Sequence, residues 1–523
     1  LSRKEMGFCL LALLLCLLVN PMQGLAKQRH TASSFSAIEV KRQLRAAWIA
    51  TVTNIDWPSK TGLSKEQQQA EFNSLLDELK KMGINAVIVQ VRPTADAFYP
   101  STLNPWSKYL SGTQGISPGY DPLAFMVQAA HKRNMEFHAW FNPYRVSMDT
   151  QLSSLVPNHP ARQHPDWVVT YSGKLWYDPG IPAVRAHIVD SIKEVVQNYD
   201  IDAVHFDDYF YPYPDGTDFP DEKTYQTYGQ TTFPNKADWR RNNVNQLVKE
   251  VDQQIKQLKP YVKFGISPFG IWRNKSTDPT GSDTSGFQAY DSLYADSRTW
   301  IRQGWIDYIA PQIYWNIGYA AAAYEKLVPW WANEVNGRAT HLYIGHAVYK
   351  IGSNTEWNHP DEIPNQLQLN QQYPQVKGSI FFSTKDLLKN PLGFAERLRT
   401  DLYRYPSLIP VMPWLGGQAP SAPTLLSAIR GSGGTTLTFA DNANQTSYFV
   451  IYRFAQGDTI SLDQPRHIVG TMRKTVSGST PQIFQDETAE ATKSYTYLIT
   501  AVDRLHHESN ASNAIQLRSF SVK

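Results

Sequence analysis

At 523 residues the chain is too long for one ordinary domain, and its 42% hydrophobic and 19% charged residues are those of a folded, soluble protein. A net charge of only +3, with no basic block, argues against nucleic acid as a partner. The aromatic share of 12% is high, and much of it falls in predicted loops, which suits a surface that stacks on flat ligands.

Arg3 and Lys4 precede an apolar run from Phe8 to Val19, and Gly24-Leu25-Ala26 follows with the small residues of a cleavage site. Residues 1–26 are therefore predicted to be a secretory signal peptide, with a run short for a membrane span. Cys9 and Cys16 leave with it, and neither follows a lipobox, so no lipid attachment is predicted. The remaining chain has no thiol for a nucleophile, a metal site or a disulfide. An exported, cysteine-free chain with no further transmembrane segment points to the periplasm or envelope of a bacterium.

Residues 27–43 read as a polar linker, after which strand and helix patterns alternate. The first strand, 45–53, runs into Asn54-Ile55-Asp56-Trp57-Pro58. Ser64 and Gln67 form a capping box for a helix whose apolar face is Phe72, Leu75, Leu76, Leu79 and Met82, stopped by Gly83. A strand from Asn85 ends at Arg92-Pro93, and Asp121-Pro122 opens the next helix. The third strand is 136–142. The fourth is the apolar run from Ala203 that meets Asp207-Asp208 and then Tyr209-Phe210-Tyr211-Pro212. Strands at 263–269, 308–315, 342–348 and 378–383 follow, with helical patterns between them. Eight such units over residues 44–405 predict an α/β fold, a (β/α)8 TIM barrel with long loops. No glycine-rich phosphate turn follows the first strand, so a doubly wound sheet lacks support.

Prolines and glycines between 406 and 420 mark a second linker. Short alternating runs separated by turn residues then predict a small all-β sandwich over 421–523, which resembles a fibronectin type III domain.

Alternation along the barrel strands nominates the residues that line its mouth. In the fourth strand His205, Asp207 and Tyr209 share a face, which favours Asp207, while Asp208 sits at the strand's tip. Gln90 and Arg92 share a face on the second strand, as do His138, Trp140 and Asn142 on the third, with Arg145 beyond. Later strand ends supply Ser267, Gln312, Tyr314, Trp315 and His346; Arg273 and Asp56 stand in adjoining loops. Arg, His, Asn, Gln, Tyr and Asp converging on one end suit a hydroxyl-rich substrate. Loop aromatics Trp57, Trp106, Tyr211, Tyr213 and Trp315 supply stacking faces.

The motifs Asn54-Ile55-Asp56-Trp57-Pro58, Gln90-Val91-Arg92-Pro93, Gly119-Tyr120-Asp121-Pro122, His138-Ala139-Trp140-Phe141-Asn142-Pro143-Tyr144-Arg145, His205-Phe206-Asp207-Asp208-Tyr209, Gly265-Ile266-Ser267-Pro268-Phe269-Gly270 and Pro311-Gln312-Ile313-Tyr314-Trp315 together resemble the glycosyl-hydrolase-like ten family. The resemblance implies a barrel that cleaves glycosidic bonds, with peptidoglycan glycan strands stripped of stem peptides as substrate and cell-envelope or division-site proteins as partners. No cofactor and no metal are expected. Glycoside cleavage needs a proton donor and a second group. Asp207 or Asp208 fits one role; Asp56, Asp96 or an Asp of the loop after the fifth strand fits the other. By analogy with chitinase-like barrels, Tyr314 steadies a substrate acetamido group that acts as nucleophile. Two rival readings stand beside this one: a non-catalytic glycan-binding protein, and a metal-dependent deacetylase using Phe206-Asp207-Asp208 with His159 and His164.

Overall fold

The computed structural model describes residues 36–474 and 481–519, and the predicted signal peptide lies outside them. The strands of the first part are β1 (Leu44–Ile49), β2 (Ala86–Arg92), β3 (Glu136–Phe141), β4 (Val168–Tyr171), β5 (Lys174–Tyr177), β6 (Ala203–Phe206), β7 (Lys263–Ile266), β8 (Tyr308–Ile309), β9 (His341–Ala347) and β10 (Val376–Phe382). Eight of them pair in parallel and close in the order β1-β10-β9-β8-β7-β6-β3-β2. The other two, β4 and β5, form an antiparallel hairpin inside the β3–β6 connection. That hairpin was not anticipated from sequence.

Alternation sorts the strand side chains into two buried sets. Ala46, Trp48, Ile88, Trp140, Ala203, Tyr308, Tyr343 and Ile380 fill the barrel's interior. Val87, Val89, Phe137, Ala139, Val204, Phe206, Phe264 and Ile266 pack outward with helix residues such as Leu76 and Met126. Strands apolar on both faces are what a parallel barrel requires. Gly265 allows one large interior residue: a Cβ there would lie 2.1 Å from the Tyr308 ring. The helix signals are realised locally. Ser64 caps Lys65–Lys81 with Gln67 as its reciprocal partner, and Asp121 accepts the Ala124 N–H at the start of Pro122–Lys132.

The C-terminal part is a two-sheet antiparallel sandwich. One sheet is β11 (Thr424–Gly431), β12 (Gly434–Ala440) and β15 (Gln482–Asp486); the other is β14 (Ile468–Arg473), β13 (Thr446–Ala455), β16 (Tyr495–Asp503) and β17 (Ile515–Leu517). Leu425, Leu437, Phe439, Phe449, Ile451 and Ile499 form its core.

Residues 406–420 do not hang free between barrel and sandwich. Leu408 packs with Tyr448, Val450 and Tyr452 of the sandwich, whereas Ile409 and Met412 join the barrel's interior cluster. Adjacent side chains facing opposite ways are the signature of extended backbone. Leu408 exchanges backbone hydrogen bonds with Lys41 and Gln43, and the Trp414 indole donates to Asp307 at 2.9 Å. The segment thus covers the N-terminal end of the barrel, and the described residues form one compact unit.

Candidate active site

Strand pairing in β6 ends at Phe206, so Asp207 and Asp208 begin a loop at the C-terminal mouth. Both are buried, at 5% and 6% exposure. Strict alternation would send Asp208 to the helix side. Released from the ladder, its carboxylate turns over the mouth, accepting from Gln312 Nε2 at 3.1 Å and from the Tyr213 hydroxyl. Asp207 accepts from Asn142 Nδ2 at 2.5 Å and from the Tyr209 N–H at 3.3 Å. Asn142 is itself held by Gln90, whose Oε1 accepts the Thr51 and Val52 N–H groups at 2.9 Å each. Gln312 also donates to the Ser267 carbonyl at 2.9 Å. Donors from three separate strand ends therefore clamp the pair.

Burial, then the Asp208 charge, push the Asp207 carboxyl up to about 7, against the opposing pull of Arg145 and Asn142. Burial also raises Asp208, while Tyr213 and Gln312 favour its ionised form. Arg145 is fixed by its bond to the Pro93 carbonyl at 3.1 Å and lies over the Tyr209 ring at 5.4 Å. Around the carboxyls stand half-buried aromatics. Tyr213 meets Tyr209 edge-on and stacks on Phe287; Trp315 packs against Phe269; Tyr314 lies between Tyr349 and Phe382. Burial pushes the Tyr314 phenol well above its ordinary range, with Tyr349, Asp208 and Asp207 adding to it.

Asp207, Asp208, Asn142, Arg145, Tyr209, Gln312, Tyr314 and Trp315 are thus gathered at one mouth. Ser267 lies just below, its hydroxyl 3.0 Å from His205 Nε2. His138 is deeper on the interior face, bonded to Tyr308 and Glu136.

Other nominated residues are placed elsewhere. Asp56 has both oxygens committed, to the Ala50 and Lys385 N–H groups and the Ser383 hydroxyl, each at 2.7 Å. Trp57 is fully buried and donates to the Gln68 carbonyl, so it offers no stacking face. Tyr211 is likewise buried against Asn243. The β2–β3 register slips between Gln90 and Arg92, which parts these two from a common face. Arg92 instead donates to Asn104 and to the Asn142 and Pro143 carbonyls, steadying the backbone that presents Asn142. Asp96 is buried in its loop against Thr94. Arg273 pairs with Asp291 at 2.5 Å. His346 faces the helix layer, bonded to Gln366 and Ser379, because Tyr343 takes the interior parity of β9. His159 accepts the Ala161 N–H and His164 stacks on Trp167 at 4.2 Å, which leaves the deacetylase arrangement without its histidines.

Two contributors were not foreseen in their roles. Tyr213 serves as a donor to Asp208 rather than only as a stacking face, and Trp48 with Tyr308 forms the polar floor. Extending the interior parity of β1 and β8 downward would have found the latter two.

The chain matches the family described as Glycosyl hydrolase-like 10 over residues 43–361. Glycosyl hydrolase YngK of Bacillus subtilis (strain 168) is 56% identical over 481 residues, covering 90% of this chain and 92% of that protein. Glycosyl hydrolase DigH of Escherichia coli (strain K12) is 44% identical over 414 residues, covering 73% and 92%. Among solved structures, the PgaB (BpsB) glycoside hydrolase domain from Bordetella bronchiseptica aligns with a TM-score of 0.47 at 13% identity, over 69% of this chain and 99% of that one. The chain belongs to the Glycosyl hydrolase-like 10 family and is a glycoside hydrolase.

Proposed function

We propose that this enzyme is exported to the bacterial envelope and cleaves glycan strands bearing 2-acetamido sugars, specifically peptidoglycan strands lacking stem peptides. Asp207 and Asp208 carry the reaction. The supporting observation is an adjacent, buried carboxyl pair at the barrel mouth, clamped by Asn142, Tyr213 and Gln312. Asp56 is occupied as described, and Asp96 is buried in its own loop against Thr94; of the aspartates after β7, Asp278 bonds to Thr280, Asp283 pairs with Lys326 and Asp291 pairs with Arg273. In this reading the nucleophile across the ring comes from the substrate, whose 2-acetamido oxygen supplies it.

Asp207, whose carboxyl keeps its proton to about pH 7, donates that proton to the leaving oxygen. Asp208, whose carboxylate receives Tyr213 and Gln312, accepts the acetamido N–H and balances the charge as the acetamido oxygen bonds to the anomeric carbon. Tyr314 steadies that oxygen. Water then opens the cyclic intermediate, giving its proton back to Asp207.

Asp207→Asn and Asp208→Asn, assayed separately on purified glycan strands with mass spectrometry of products, are each expected to lose about 10²–10⁴-fold in kcat. An activated aryl glycoside, which needs no proton donor, should restore much of the rate to Asp207→Asn and little to Asp208→Asn. Full activity of both variants on glycan strands would sink the assignment.

A further inference from the structure

A polar chain runs along the barrel axis beneath the aspartates, and it ends on a residue of the sandwich. His506 follows β16 in the left-handed region, with φ 71°, and its ring is buried at the base of the barrel. Its Nε2 lies 2.7 Å from Glu136 Oε1, and its Nδ1 lies 3.1 Å from the Tyr448 hydroxyl. Lys263 Nζ bonds to the same Glu136 oxygen. Glu136 Oε2 is 3.0 Å from His138 Nε2, and His138 Nδ1 is 2.9 Å from the Tyr308 hydroxyl. That hydroxyl is also 2.9 Å from His205 Nδ1.

The donors in this chain have one consistent order. An indole N–H only donates, so Trp48 Nε1, 3.2 Å from His205 Nε2, makes that nitrogen an acceptor. The neutral His205 then carries its proton on Nδ1 and donates to Tyr308. Tyr308 donates to His138 Nδ1, and His138 Nε2–H donates to Glu136. Every proton points away from the mouth towards the carboxylate that His506 and Lys263 grip. At the upper end, His205 Nε2 meets the Ser267 hydroxyl at 3.0 Å, and the Ser267 carbonyl receives Gln312, which donates to Asp208.

We propose that His506 of the C-terminal sandwich is a positioning residue for the aspartate site, acting through Glu136, His138, Tyr308 and His205 on Ser267 and Gln312. The inference rests on Asp207 and Asp208 being the reacting pair. Mere adhesion of sandwich to barrel has other means: Arg42 and Lys41 with Glu508, and Arg504 with Asp202. What His506 adds is a fixed rotation of the Glu136 carboxylate, and with it the tautomers above.

In the full-length enzyme, His506→Ala is expected to lower kcat about tenfold with KM unchanged, a loss of the size that small misplacements of reacting groups cause. The hydrogen-bonded imidazole N–H resonances of His138 and His205 should shift or exchange faster with water. His506→Gln, which restores a donor to Glu136, should recover most of both. Arg504→Ala, which loosens the seam without touching the chain, should alter neither. Wild-type kcat together with unchanged imidazole resonances in His506→Ala would overturn the proposal. If His506→Ala does not fold, Tyr308→Phe cuts the same chain inside the barrel, and wild-type kcat there would overturn it equally. The resonances are read on the resting enzyme, so they test the chain even if Asp207→Asn and Asp208→Asn prove active.

Discussion

Asp207 holds a proton at a pH where an ordinary aspartate has lost one. Its carboxyl titrates at about 7 in the fold, raised first by burial and then by Asp208, whereas in the unfolded chain it titrates at about 3.9. Between those values the folded state binds more protons, so this residue's contribution to stability falls as pH rises across the window. Asp207→Asn removes that penalty. The variant should be more stable than wild type at about pH 8, by on the order of 4 kcal/mol, with the difference vanishing towards about pH 4. Urea midpoints at the two pH values check this, and a variant no more stable than wild type at the higher pH would contradict it. In the same protein kcat should decline as pH passes upward through about 7, because the proton donor is lost. The site's membership was largely legible at this scale: Asn142, Arg145, Gln312 and Tyr314 all lie where parity and strand ends put them. Asp208 was ambiguous because alternation holds only while a strand is paired, and pairing stops one residue before Asp207. Whether Asp56 or Asp96 was free could not be read from sequence. The oxygens of Asp56 are filled by backbone N–H groups and a hydroxyl, and one oxygen of Asp96 is held by Thr94, contacts that carry no sequence signature.

The elements show the same division. Strands apolar on both faces and helices opened by Ser64 or Asp121 announce themselves, because burial and capping are local demands. The register slip that separates Arg92 from Gln90 does not, since it depends on how β2 meets β3. Nor does the β4–β5 hairpin, whose strands are four residues each and whose turn is Ser172-Gly173. The parity of β9, which turns His346 outward, follows from Tyr343 needing the interior beside Tyr308. One glycine makes that packing possible. Gly265→Ala would drive a methyl group into the Tyr308 ring and break its bonds to both histidines. A loss of about 3 kcal/mol, at the upper end of overpacking costs, is expected in chemical denaturation. A change under about 0.5 kcal/mol, the size of an ordinary surface substitution, would show that the floor is more yielding than its geometry implies.

For the whole molecule, composition separated the sandwich from the barrel, but only the structure shows the stretch between them seated on both. Leu408 belongs to one core and Ile409 to the other, a contrast invisible in a run that reads as proline-rich connector. The full chain should therefore unfold in urea as a single transition seen alike by barrel and sandwich probes. A chain ending at Tyr405 should fail to give a cooperative transition, because the base of its barrel is stripped of Ile409, Met412 and the Trp414–Asp307 bond. A truncated barrel as stable as the full chain would contradict this. The filled axis also governs traffic. Trp48, His205, Tyr308 and Tyr343 fill the barrel axis, and Ile409 and Met412 pack with that cluster. Substrate, product and water consequently share one doorway. In the proposed reaction the severed glycan end therefore leaves by the same mouth through which hydrolytic water arrives.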